Sequence, residues 1–144
     1  MALRSRRPRT SKPRSPASKY WSCRRKPLSK SEEKAEVYIV EGTVRKTQAR
    51  FLKVGRSKEP SRRLKEHQER CKCVEWKSLE SFPVEHSHRA EGVVHANMEM
   101  KCFVKFEGIC SCNKTHRERF THPEMDIADA RKVAEGVIVK HQDV

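Results

Sequence analysis

Tyr38, Lys53, Arg63 and Glu91 put a phenol, an ammonium, a guanidinium and a carboxylate on four stretches of one short chain. Hydrolysis of a phosphodiester needs such a set. It requires an activated water, neutralised charge on pentavalent phosphorus and a stabilised leaving oxygen. Tyr38 can accept the water's proton if a neighbouring cation, Lys53 or Arg63, lowers its pKa. Arg63 offers a planar fork of donors matched to two non-bridging phosphate oxygens. Glu91 can hold one Mg²⁺ or Mn²⁺, a cation that keeps several waters and therefore tolerates a single carboxylate ligand. His67 lies one helical turn beyond Arg63, where it can touch phosphate or act as an acid, and His95 stands in the same relation to Glu91. Arg56, Lys58, Arg62 and Lys65 flank this set and can position a duplex by its phosphates without reading bases. Each residue also has a plainer reading. Tyr38 can be a packing residue of a strand, Arg63 a surface partner of Glu59, Glu91 a solvated position, the basic run a solvated helix face, and the histidines structural.

The elements that must hold these side chains are short. In Ala35–Val40 the apolar residues alternate, Val37 and Ile39 against Tyr38 and Val40, which predicts a strand. Phe51–Val54 is a second strand stopped by Gly55, and a hairpin between the two brings Tyr38 near Lys53 and Gly55. Ser57 is a candidate cap and Pro60 an early helical residue for a helix reaching about Arg70, with Glu59/Arg63 and Glu66/Arg70 at ion-pair spacing. Cys73–Phe82 reads as extended. A second helix is expected from about Glu85 to Met98, with Ala90, Val93, Val94, Asn97 and Met98 on one stripe. Arg117–Thr121 is a last strand candidate, and Pro123 starts a final helix reaching about Lys140. This order predicts an α/β chain, a small α+β sandwich whose mainly antiparallel sheet has about three to four strands flanked by helices.

Charge divides the chain. Residues 1–30 hold 11 of the 33 Lys/Arg and none of the 19 Asp/Glu, so the remainder carries only +3 of the net +14. With Pro8, Pro13, Pro16 and Pro27 and few apolar residues, residues 1–33 are expected to be a disordered basic tail, and residues 34–144 one folded domain. The tail suits counterion displacement from a polyanion, while a solubilising extension and a mitochondrial presequence share its composition. No apolar run is long enough for a membrane span. The expected setting is intracellular, nuclear rather than mitochondrial, with no membrane partner and no small-molecule cofactor. The six cysteines then read as thiols or metal ligands. Cys110, Cys112 and His116 fall within seven residues, and Cys71 or Cys73 can complete a tetrahedral Zn²⁺ set. The Cys-x-Cys spacing is tighter than the usual zinc gap, and free thiols are the alternative.

In order and spacing, Val37-Tyr38-Ile39-Val40, Leu52-Lys53-Val54-Gly55-Arg56-Ser57, Arg62-Arg63-Leu64, Arg89-Ala90-Glu91 through His95, and His116-Arg117-Glu118-Arg119-Phe120 form a pattern. By it the chain resembles the GIY-YIG superfamily, within it the bacteriophage-type DNA-binding branch with its fungal members, over residues 36–122. The resemblance implies that Tyr38 lies at an active site, that Gly55 is the second-motif glycine, that Arg63 is the first-helix arginine and that Glu91 binds metal. It also implies a Cys/Cys/His cluster before the last strand. Lys53 stands where the nucleases have a second tyrosine, and Glu36 replaces the glycine opening the first motif. Lysine at that position is similar to the DNA-binding branch.

The expected function is therefore DNA binding, with metal-dependent endonuclease activity as its extension. The alternatives are an inactive DNA- or RNA-binding module and a zinc-stabilised protein-interaction domain.

Overall fold

Alternation of apolar side chains builds the sheet. The computed structural model describes residues 14–28, 30, 32–106 and 117–144. Strands β1 (Ala35–Val44) and β2 (Arg50–Ser57) form an antiparallel hairpin. Val37, Ile39, Leu52 and Val54 face one side, and Tyr38, Val40 and Phe51 the other. Residues 37–40 are all within 1% of full burial. At about 1.5–3 kcal/mol for each large apolar side chain buried, such a strand cannot lie at an edge or expose either face. β3 (Val74–Val84) accordingly pairs with the other side of β1. Two short strands, β4 (Val104–Lys105) and β5 (Arg119–Thr121), extend the sheet beyond β2. The order is β3-β1-β2-β5-β4, every neighbouring pair antiparallel.

Helices cover both faces. α2 (Pro60–Arg70) lies on the Tyr38 side, where Leu64 packs against a cluster of Tyr38, Val40, Phe51, Cys71 and Trp76. α3 (Ser87–Met100) and α4 (Ile127–Lys140) cover the opposite side with Ala90, Val94, Met98, Ala134 and Ile138. The architecture is the expected α+β sandwich. The described sheet has five strands where the sequence predicts about three to four, because the two residues of β4 are too few to show a period. No helix among the described residues is long and apolar enough to cross a membrane.

Local chemistry corrects several element ends. Ser57 does not cap α2; its hydroxyl accepts from the Glu59 N–H at 3.0 Å, and Glu59 itself stands at the N-cap. The ion pairs on α2 join Arg62 to Glu59 at 3.2 Å and Arg63 to Glu66 at 3.4 Å, in place of the expected Glu59/Arg63 pair. α4 begins at Ile127, four residues after Pro123, where Asp126 accepts from the Asp129 N–H at 2.8 Å.

The largest correction concerns the described part of the basic segment expected to be disordered through residue 33; residues 1–13, 29 and 31 of that segment lie outside the described residues. Pro16–Arg25 is a helix, α1, with Ser15 as its cap and Pro16 at its first position. Tyr20, 6% exposed, packs with Val93 and Ala96 of α3, and Cys23 joins them. The His141 Nδ1–H donates to the Val137 carbonyl at 2.7 Å. Nε2 therefore accepts from the Tyr20 hydroxyl, 2.8 Å away. Glu32 also belongs to the folded body, since its carboxylate accepts from the N–H groups of His88 and Arg89 in the first turn of α3. Few apolar residues suffice for α1 because their partners lie 70 to 120 residues later in the chain.

Tyr20→Phe keeps the ring and leaves His141 Nε2 buried without its donor. The expected cost is about 1–3 kcal/mol. Urea unfolding measures it, and amide exchange should localise the loosening to α1. Unchanged exchange there would show that the helix does not depend on this bond.

Candidate functional site

A cleft forms where β5 leaves β2. The ladder joins Leu52 to Phe120 and Lys53 to Arg119, and the Val54 N–H still donates to the Glu118 carbonyl at 3.0 Å. Glu118 has a φ of 66°, a left-handed conformation costing a non-glycine residue on the order of 1–3 kcal/mol. Two residues further along the same edge of β2, the Arg56 N–H lies beyond the ladder. The Glu91 carboxylate of α3 accepts it. Glu91 thereby passes from the α3 side of the sheet through this notch toward Tyr38, whose ring belongs to the α2 side.

Gly55 makes the meeting sterically possible. It faces Tyr38 in the hairpin register. A Cβ there would stand 2.8 Å from both the Tyr38 hydroxyl and Glu118 Oε2, well inside van der Waals contact. The phenol crosses β2 in the space a side chain would fill. Arg63 comes from α2 and donates a hydrogen bond to the phenol. Tyr38, Arg56, Ser57, Arg63, Glu91 and Glu118 line an open cavity of about 330 Å³.

The electrostatics correct the chemistry expected of Tyr38. Burial, and next the charge of Glu118, raise its pKa well above the ordinary phenol value, outweighing Arg63. As the residues stand, Tyr38 keeps its proton and enters the site as a hydrogen-bond donor. Burial followed by the Glu118 charge also pushes Glu91 up to about 7, against the opposing pull of Arg56 and Lys53.

Lys53 sits beneath the cleft instead of within it, 7% exposed. Its Nζ donates to the Arg117 carbonyl at 3.2 Å and lies 3.8 Å from Glu118 Oε2. Burial lowers its pKa, and its contacts with Arg117 and Glu118 tie it to the turn that carries Glu118. His67 tilts over Trp76 with ring centroids 6.0 Å apart. Burial, then Lys53 and Arg63, push it down to about 4, which removes it as an acid near neutrality. His95 donates through Nε2 to the Val54 carbonyl at 2.7 Å, tying α3 to β2 instead of orienting Glu91.

The structure thus brings together Tyr38, Gly55, Arg56, Arg63 and Glu91. Lys58 and Arg62 line an adjoining depression with Glu59 and Glu66. Lys58 pairs with Glu33 at 3.0 Å, and Lys65 is exposed on α2. Glu118 is the residue that sequence reasoning missed as a site member. Its signal was an acid between Arg117 and Arg119 at the mouth of a strand, legible only once β5 is known to end beside Gly55. Of the expected zinc set, Cys110, Cys112 and His116 lie outside the described residues. Cys71 is buried in the α2-side core. Among the described residues no group of three or more His, Cys, Asp or Glu is arranged to hold a metal.

One family model, that of the T5orf172 domain, matches residues 35–137. That match corrects the resemblance to the GIY-YIG superfamily, for which no family model matches. T5orf172 domains are a family of DNA-binding and nuclease-like domains. No curated protein and no solved structure matches the chain.

The raised Glu91 value has a consequence for stability. Between about 4.5, its ordinary pKa, and about 7, the folded chain holds a proton that the unfolded chain releases. Stability from this group is fully present below the lower value and is lost as pH rises through the upper one. Urea unfolding in chelator across this interval should show the fall. Glu91→Gln should flatten it and be the more stable protein at about pH 8; equal stability there would mean the carboxylate is not strained.

Proposed function

The chain belongs to the T5orf172 domain family, and on that premise we propose that it binds DNA and hydrolyses a phosphodiester in the cleft, with one divalent cation. The carrying observation is the pair Glu91 and Glu118 facing Arg63 and the Tyr38 phenol in one open cavity. Two carboxylates repel a phosphate, so a module that only grips DNA gains nothing from them. A divalent cation resolves the conflict, because it relieves the repulsion between the acids and accepts phosphate oxygens.

The donor set fits Mg²⁺ or Mn²⁺, which take hard oxygen ligands and need only one or two carboxylates from the protein. When bound, such a cation supplies Lewis-acid stabilisation of developing negative charge. The remaining roles fall to the chain itself. Arg63, about half exposed, presents its fork to the non-bridging oxygens and turns one N–H to the phenol. Tyr38, holding its proton, donates a hydrogen bond into the site. Gly55 keeps the floor open. Lys53, through Arg117 and Glu118, keeps the second carboxylate in place.

The test uses the full chain with labelled duplex, nicked and branched DNA in Mg²⁺ or Mn²⁺, with RNA as competitor. Arg63→Ala and Glu91→Gln should each lose on the order of a hundredfold or more in cleavage rate. Glu91→Gln should retain or improve affinity for DNA, since a repelling charge is gone. Equal cutting by all proteins would mean contamination, and retained DNA without cutting would leave a binding module. Either divalent cation should also raise the melting temperature of the wild type more than that of Glu91→Gln. Metal analysis of the same protein tests the zinc set of Cys71, Cys110, Cys112 and His116.

A further inference from the structure

We propose that α1 is a second DNA-backbone contact, a docked basic helix that continues the path of a duplex out of the cleft. This rests on the DNA-binding reading above. α1 contains Lys19, Arg24 and Arg25 and no acid, and Arg14 and Lys26 flank it. Lys19 is used within the fold, 3.3 Å from Glu99. Among the described residues, Arg14, Arg24, Arg25 and Lys26 form no ion pair. Near the cleft, Lys58, Arg62 and Arg63 each meet a carboxylate, while among the described residues Arg56 and Lys65 form no ion pair. Four basic groups without an ion-pair partner therefore fall within residues 14–26, a stretch that holds no acid.

These charges are held rather than loosely tethered. The guanidinium carbons of Arg24 and Arg25 each lie 5.6 Å from the Trp21 ring centroid. Arg24 also donates to the Tyr20 hydroxyl at 3.0 Å. Trp21 is 48% exposed and meets the buried Tyr20 ring edge-on, centroids 5.2 Å apart; it also serves as a platform that sets the two arginines. Arginines fixed in this way lose little further freedom on meeting phosphate. A helix kept only for solubility has no use for an exposed tryptophan.

Position links this surface to the cleft. A Cβ on Gly92 would stand 3.2 Å from Cys23 Sγ, so α1 touches α3 at the residue following Glu91. The Arg89 guanidinium donates to the Lys26 carbonyl, which anchors the basic end of α1 at the first turn of α3. On this proposal a phosphate strand seated over Arg56 and Arg63 continues to Arg24 and Arg25. Phosphate is the ligand chemistry that a bank of uncompensated arginines without acids recognises.

The experiment compares the full wild-type chain, Arg24→Gln/Arg25→Gln and Arg45→Gln/Lys46→Gln for binding to one short duplex across a salt series. The second pair removes the same charge from the turn at the far end of the β1–β2 hairpin. Loss of two phosphate contacts should weaken the α1 variant on the order of tenfold at about 0.1 M salt. It should also flatten the slope of log affinity against log salt by about 2. The control should keep the wild-type slope. Equal losses in both variants, or none in the α1 variant, would overturn the proposal while leaving DNA binding intact. Failure of the wild type to retain DNA at any salt would instead overturn the DNA-binding reading, and this inference with it.

Discussion

Strand β5 stays beside β2 for two residue pairs, and the left-handed backbone of Glu118 then turns the chain away. The early ending leaves the Gly55–Ser57 edge of β2 open. Through that opening a carboxylate from the α3 side and a phenol from the α2 side reach the same space, which a continued ladder would have closed. Gly55 completes the arrangement by giving up the volume that Tyr38 crosses. The cavity, the raised pKa of Glu91 and the reach of Arg63 all follow from this one interruption.

Charge around the interruption is arranged in layers. Lys53 and Arg119 are register partners and both are buried, Arg119 lying 4.5 Å from the centroid of Phe51 and 5.4 Å from that of Trp76. Adjacent cations in a dry place repel. Glu118 beside Lys53, and the aromatic faces under Arg119, offset that repulsion. Glu118 thus compensates positive charge below the cleft while adding negative charge to Glu91 within it. A residue with both duties is hard to replace without disturbing either the sheet or the site.

Much of the architecture was legible in the sequence because it rests on short-range periodicity. The alternation of Val37, Tyr38, Ile39 and Val40 and the apolar stripe of Ala90, Val94 and Met98 each declare which side is inward. The site was legible in part. Tyr38, Arg63 and Glu91 stand at the spacing their elements need, and they do line one cavity. Their chemistry was not legible: cation proximity suggested a lowered phenol pKa, whereas burial and Glu118 raise it. His67 looked like an acid by its place on a helical face, yet burial and nearby cations keep it neutral. Burial and neighbouring charge depend on residues far off in the chain, which spacing does not reveal.

The basic segment marks the same boundary. Its composition predicts no core, and its described apolar residues bury one tyrosine and part of one cysteine. What secures α1 is a distant surface: Val93 and Ala96 beneath Tyr20, and an imidazole whose other nitrogen is already committed to Val137. The sequence by itself determined β1, β2, β3, β5, α2, α3, α4 and the residue types able to handle phosphate, since these depend on neighbours within a few positions. Only the tertiary structure decided that Glu118 joins the site, that Lys53 supports it from below and that α1 belongs to the fold. Those outcomes depend on which surfaces meet, and on how much water their meeting removes.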